Sequence, residues 1–398
     1  MRGVTVRRPV VLFLAAGLCV LSYLSLTVHR RAPSEFGSDP GARRTQMELS
    51  QWQQHGYFAS YGLLRPSTDP HTLYRSSSGA HRLTAYVVWQ VTGGSPYAQA
   101  AHNQLVSLAA SVLLALVAYR LALRLEVSPL QARALGIGAG MVLLTFPDNL
   151  ALFWDMSAQA YWLVPALAFF LFEKRWQRLL LVFAMTWLEY VAATMFVGAW
   201  VLASFVLGDE RPRYLKSIGL AWLAALALFG LQIGLAGIDS DSHLTGSGFA
   251  YRTGLDGDAE LYGTPLDIAF GRDIVRAQRP AVREQLFRWP LLFCAGLAAC
   301  LAMFLAYARG RAPRETILPL LALSGAYVLY AGVFSQAVAL HPYLYDAMLV
   351  TPLILALFGL LPALVENRSG VVTVVAFLAA AWTAFYQVRV YAMTYPLR

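Results

Sequence analysis

Apolar runs long enough to cross a lipid bilayer recur along almost the whole chain, and this limits the fold more than any other feature. They lie near residues 10–28, 101–122, 133–147, 156–172, 179–190, 191–207, 216–237, 289–307, 316–337, 346–364 and 370–388. A helix needs about 20 apolar residues to span the hydrocarbon core. A soluble fold cannot hide so many such runs, because its outer faces must still meet water. Composition agrees. Only 13% of the 398 residues are charged and 58% are hydrophobic, against about 25% charged in a typical soluble domain. The expectation is one all-α integral membrane domain over residues 1–398, a transmembrane helical bundle of about eleven crossings.

The positions of the arginines test that layout. With the N-terminus in the cytoplasm, the inner segments carry Arg2, Arg7 and Arg8; Arg120, Arg124 and Arg133; Lys174, Arg175 and Arg178; Arg211, Arg213 and Lys216; Arg309, Arg311 and Arg314; and Arg368. The short outer turns near 148–156, 188–191 and 338–346 carry no Arg or Lys. That is the positive-inside pattern. It places the C-terminus outside, with Arg389 and Arg398 on the less favoured side. The apolar run 10–28 follows a basic leader but lacks a clear small-residue cleavage site, so it reads as an uncleaved first helix.

Residues 179–207 would make one helix of roughly 43 Å, with basic clusters on opposite faces of the membrane. A hairpin turning near Glu189 and Tyr190 puts both clusters on one side and is the expected arrangement. Two long outer loops remain, 29–100 and 238–288. The first is aromatic. Within it Gln46–Leu64 has helical apolar spacing, weakened by Gly56 in the middle. Leu83–Val91 fits a second interfacial helix or a short strand, with a turn at Gly93-Gly94-Ser95-Pro96.

The net charge is +9, and Lys174 and Lys216 are the only lysines. No basic stripe with interleaved aromatics points to nucleic acid. The charge instead suits anionic headgroups or a phosphorylated substrate. Cys19, Cys294 and Cys300 sit in apolar stretches and form no metal or disulfide pattern; they read as small buried hydrophobes.

Five polar constellations stand out. Glu48 lies on a helix-like outer segment and could act as a general base, or be a solvated charge. Tyr74 to Arg82 contains Arg75, Ser77, His81 and Arg82. These could cradle a phosphate, or form a plain polar turn. Asp148 and Asp155 bracket an outer turn near Trp154, Gln159 and Tyr161; they suit a sugar or ion site, or simple capping. Glu189 sits at the hairpin turn and needs a partner, for which Arg75 and His341 are candidates. His341, Tyr343 and Tyr345 lie with Asp346 on a late outer turn where an external substrate could enter. No metal signature occurs; a divalent cation held by Glu48, Asp148 or Asp155 with a substrate phosphate is the one option.

In order of features the chain resembles the GT-C superfamily of polytopic glycosyltransferases, which use polyprenyl-phosphate sugars. The resemblance rests on the acidic first outer loop with Glu48, the short middle helices with Asp148, Asp155 and Glu189 at outer turns, and the turn from His341 to Asp346. The superfamily's first-loop acid is often Asp, so Asp39 competes with Glu48. The resemblance implies inverting sugar transfer on the extracytoplasmic face, to a glycan, lipid or protein acceptor; the richness in arginine over lysine points to a GC-rich bacterial genome and so to a bacterial inner membrane. A carboxylate would deprotonate the acceptor. Arginines would hold the lipid phosphate, with Arg75, Arg82, Arg272, Arg276 and Arg279 as candidates. Three other readings compete. A transporter or flippase would favour repeats and mid-helix charges, and neither is evident. A polysaccharide polymerase or ligase would depend on the second loop, and a structural membrane partner would need no polar cluster.

Overall fold

A computed structural model describes residues 49–60, 82–146, 158–208, 212–236, 290–333, 346–366 and 369–394. All the regular structure among them is helical. Helix α1 covers 49–55 and α2 covers Leu83–Val91. The bundle follows as α3 (Pro96–Arg124), α4 (Pro129–Leu144), α5 (Ala158–Leu171), α6 (Arg175–Leu188), α7 (Tyr190–Val206), α8 (Pro212–Ala236), α9 (Pro290–Ala308) and α10 (Arg314–Val333). Helix α11 joins Asp346–Ile354, a π-helical stretch Leu355–Leu360 and Leu361–Val365, and α12 is Val371–Thr394. Ten of the eleven apolar runs therefore fall on helices, and the run at 10–28 lies outside the described residues.

The expectation of eleven crossings is met in part among the described residues. Four segments are long and apolar enough to cross a bilayer on their own: Leu105–Arg124, Tyr214–Leu235, Met348–Val365 and Val371–Arg389. Four more apolar helices are shorter, Pro129–Leu144, Tyr161–Leu171, Tyr190–Val206 and Cys294–Ala308. Short helices survive in a membrane when protein surrounds them. The core shows this, since Trp162, Phe169, Phe196 and Trp200 of α5 and α7 are almost fully buried.

Local signals set the helix ends. Ser95 caps α3 by accepting from Ala98 N at 3.4 Å, with Pro96 in the first turn. Ser128 and Gln131 form a reciprocal capping box at the start of α4. Close helix approach depends on small residues. A Cβ on Gly136 of α4 would lie 2.6 Å from the Ala115 carbonyl oxygen of α3, and one on Gly296 of α9 would lie 2.7 Å from Leu353 Cβ of α11.

The hairpin is present. Glu189, at φ −150° and ψ 92°, is the single extended residue between α6 and α7. Arg175, at the start of α6, lies over the Tyr214 ring at 5.4 Å. Tyr214 meets Trp200, near the end of α7, edge-on at 6.1 Å. The start of α6 and the end of α7 therefore share one end of the bundle. Further contacts join other helices there. Arg120 reaches the Leu171 carbonyl and Glu173, Arg314 Nη1 donates to Gly208 O at 3.2 Å, and Gly370 lies beside Gln131. The arginine-rich connections thus gather at one end, as expected from their spacing in sequence.

Candidate active site

The opposite end of the bundle carries the described parts of the first long loop, 49–60 and 82–100. There α1 and α2 pack on the start of α5 and the end of α6 through a cluster of Leu49, Trp52, Ala85 and Tyr161, flanked by Tyr57, Tyr86, Trp89, Val106 and Leu188. Trp52 is fully buried. It meets Tyr57 and Tyr86 edge-on, with centroids 4.8 and 5.4 Å apart, a favoured aromatic geometry. Tyr86 Oη donates to Trp52 O at 3.3 Å, and Trp89 Nε1 donates to Gln53 Oε1 at 3.1 Å. Burial raises the Tyr57 phenol above its ordinary value, so it remains a neutral donor.

The structure corrects one sequence-based expectation for the loop and decides between two others. Gly56 ends α1 and does not merely weaken it. Its φ is +83° and its N–H bonds to Trp52 O, a left-handed stop that glycine adopts without strain. A 3-10 turn at Phe58–Ser60 follows. Leu83–Val91 is a helix, which removes the strand alternative.

A polar group sits against these aromatics. The Tyr161 hydroxyl lies 3.2 Å from His102 Nδ1 and 3.5 Å from Asn103 Oδ1, and the imidazole is 3.4 Å from that same amide oxygen. The trio holds one hydroxyl proton and one imidazole proton. Tyr161 donates to His102 if the imidazole proton is on Nε2, and to Asn103 if it is on Nδ1. Thr84 bonds to Tyr161, and the Arg82 charge acts on it. Arg82 is only 6% exposed.

A second polar pair lies at the same end. Gln387 of α12 is fully buried. Thr145 Oγ1, at the end of α4, is 2.7 Å from its Oε1 and 2.9 Å from Met141 O. One hydroxyl proton cannot serve both acceptors. Turning the Gln387 amide over lets its nitrogen donate to Thr145. Either way one amide atom stays buried without a partner among the described residues. Thr145 leads into the connection that carries Asp148 and Asp155.

Of the residues singled out from sequence as site candidates, Arg82 and Glu189 are described, and so is Tyr161, named there beside Asp148 and Asp155. Arg82 joins the Tyr161 group. Glu189 Oε1 accepts from Val191 N at 3.3 Å, capping α7, so it has a structural role in the hairpin turn. Glu48, Arg75, Ser77, His81, Asp148, Asp155, His341, Tyr343 and Tyr345 lie outside the described residues, as do Asp39, Arg272, Arg276, Arg279 and the loop 238–288. Glu48 directly precedes buried Leu49. Asp346 begins α11, and its side chain is not among those described. Sequence reasoning missed His102, Asn103, Thr145 and Gln387. Each is polar and lies inside or at the edge of an apolar run, a signal that marks function by default. Among the described residues no group of three His, Cys, Asp or Glu could hold a metal.

No protein-family model matches the sequence, and a search of curated proteins finds no match.

Proposed function

We propose that this protein is a membrane glycosyltransferase. It moves a sugar from a polyprenyl-phosphate donor to a glycan, lipid or protein acceptor on the extracytoplasmic face of a bacterial inner membrane. One observation carries the reading: the first-loop helices pack on the end of the bundle opposite the arginine-rich connections, beside buried Arg82 and the Tyr161–His102 pair. Acidic Glu48 adjoins that packing in sequence. In the inverting reaction the acceptor oxygen bonds to the anomeric carbon as the bond from that carbon to the donor phosphate breaks. Glu48 takes the acceptor proton, and polyprenyl phosphate leaves with the electron pair. Arg82 stabilises the charge gathering on that phosphate, and Arg75, seven residues earlier in the sequence, is the second candidate for that role. Asp148 and Asp155 are the residues that would hold a divalent cation against the donor phosphate. His341, Tyr343 and Tyr345 are the residues that would meet an external substrate as it enters.

The test uses purified protein in nanodiscs with a panel of radiolabelled polyprenyl-phosphate sugars. Wild type should transfer sugar or release polyprenyl phosphate. Glu48→Gln should lose roughly 100-fold or more, the scale of general base catalysis. Undiminished turnover in the variant would move the base to Asp39, Asp148 or Asp155. A folded protein that neither binds nor turns over any donor would overturn the glycosyltransferase reading in favour of a carrier.

A further inference from the structure

Helix α2 depends on its neighbours to exist. Its 9 residues make too short a helix to persist alone. Its start also lacks local help: Arg82 occupies the N-cap position without a side-chain cap bond, and no acidic residue follows in the first turn. Tertiary bonds hold it instead. Near the end, Trp89 Nε1 donates to Gln53 Oε1, and in the middle Tyr86 Oη donates to Trp52 O. At the start, Thr84 bonds to the Tyr161 hydroxyl.

That hydroxyl is fixed from the other side. Tyr161 belongs to α5 and is buried. His102 Nδ1 and Asn103 Oδ1 of α3 stand 3.2 and 3.5 Å from its oxygen, and Asn103 is buried as well. The His102 and Tyr161 rings lie 5.9 Å apart, centroid to centroid. One phenol oxygen therefore joins α2, α3 and α5. Thr84 comes two residues after Arg82, whose own charge acts on Tyr161. Slack in the first turn of α2 passes straight to the Arg82 backbone.

We propose that Tyr161 is a positioning residue: its hydroxyl pins the first turn of α2 and so sets where Arg82 stands. The effect on turnover rests on the phosphate role proposed above for Arg82; the pinning of α2 does not.

The experiment uses the full chain in nanodiscs and two readouts. The first is amide hydrogen exchange at Tyr86 and Val87, whose N–H groups close the first turn of α2. Tyr161→Phe keeps the ring, deletes the hydroxyl and should speed exchange there by about tenfold. Thr84→Val, made from the α2 side at an exposed position, should do the same and covers the case in which Tyr161→Phe folds poorly. The second readout is turnover of polyprenyl-phosphate sugars in a double-mutant cycle with Arg82→Gln. Tyr161→Phe should cut turnover by about tenfold when Arg82 is present and change it little once Arg82 is gone. Tyr86→Phe, which removes a neighbouring hydroxyl of the same cluster, should leave turnover near wild type. Unchanged exchange in both single variants would overturn the pinning. An equal turnover loss with and without Arg82, or an equal loss in Tyr86→Phe, would make Tyr161 a packing residue and overturn its positioning role. If wild type turns over no donor while the exchange result holds, the reaction proposed above fails and the pinning of α2 stands.

Discussion

At the residue scale, single side chains close the connections that the helices leave open. Glu366 is the clearest case. Its carboxylate accepts from Gly370 N at 2.9 Å, from Thr373 N and Oγ1 at 2.8 Å and from Ser369 Oγ at 3.3 Å, capping the start of α12. Desolvation pulls its pKa upward, but the Thr373, Gly370 and Ser369 donors outweigh that and hold it below the ordinary value. A carboxylate with a depressed folded pKa stabilises the fold fully above its unfolded pKa. That contribution is lost as pH falls through the folded value. Glu366→Gln should therefore melt lower than wild type at neutral pH, with the gap closing as pH falls below the usual carboxylate range. Thermal melts in one detergent across that range check it. Little of this cap was legible in sequence, because Glu366 borders an apolar run and looks like a loop charge. Arg82 stood out in the sequence through its polar neighbours, but its burial did not. His102 was not, since a lone histidine between alanine and asparagine gives no spacing to read.

At the element scale, helix positions were legible because apolar length and the caps are local. Ser95-Pro96 and Ser128-Pro129 both mark true starts. The choice at 179–207 was legible through charge alone, and the break falls at Glu189. The state of Leu83–Val91 was not, because nine mostly apolar residues suit a strand as well as a helix; burial of Ala85 against Trp52 and Tyr161 decides it. Packing between elements was hidden too, since a glycine in a run does not reveal its partner. Gly136 is the sharpest example, with the Ala115 carbonyl where a methyl would go. Backbone cannot yield as a flexible side chain can. Gly136→Ala should push α4 off α3 and cost about 1–3 kcal/mol. A lowered melting temperature relative to Gly219→Ala, where nothing stands within 4 Å, measures it.

For the whole molecule, the alternation of basic and neutral connections predicts which end faces the cytoplasm. Ser369 lies at the basic end and Phe58, 88% exposed, at the other. In a background without native cysteines, Phe58→Cys should react with a membrane-impermeant maleimide in intact cells. Ser369→Cys should react only after the membrane is opened. The reverse result would invert the topology and, with it, the face assigned to the chemistry. What the sequence could not convey at this scale is which distant ends meet. The Thr145–Gln387 pair joins residues 242 apart in the chain, and no periodicity anticipates it.

Helix α6, whose end meets the aromatic cluster, has 14 residues between Lys174 and Glu189. A helix of that length rises about 21 Å, whereas the hydrocarbon core is about 30 Å thick. With its arginine-rich start held at one headgroup layer, Leu188 would stop short of the other. A cluster set at that depth would lie in a dimple, below the plane where lipid headgroups ordinarily sit, and the bilayer would thin around it. A lipid-borne molecule arriving from the side would need to lift its polar head only part of the way out of the membrane, while a partner dissolved in water would have to descend to meet it.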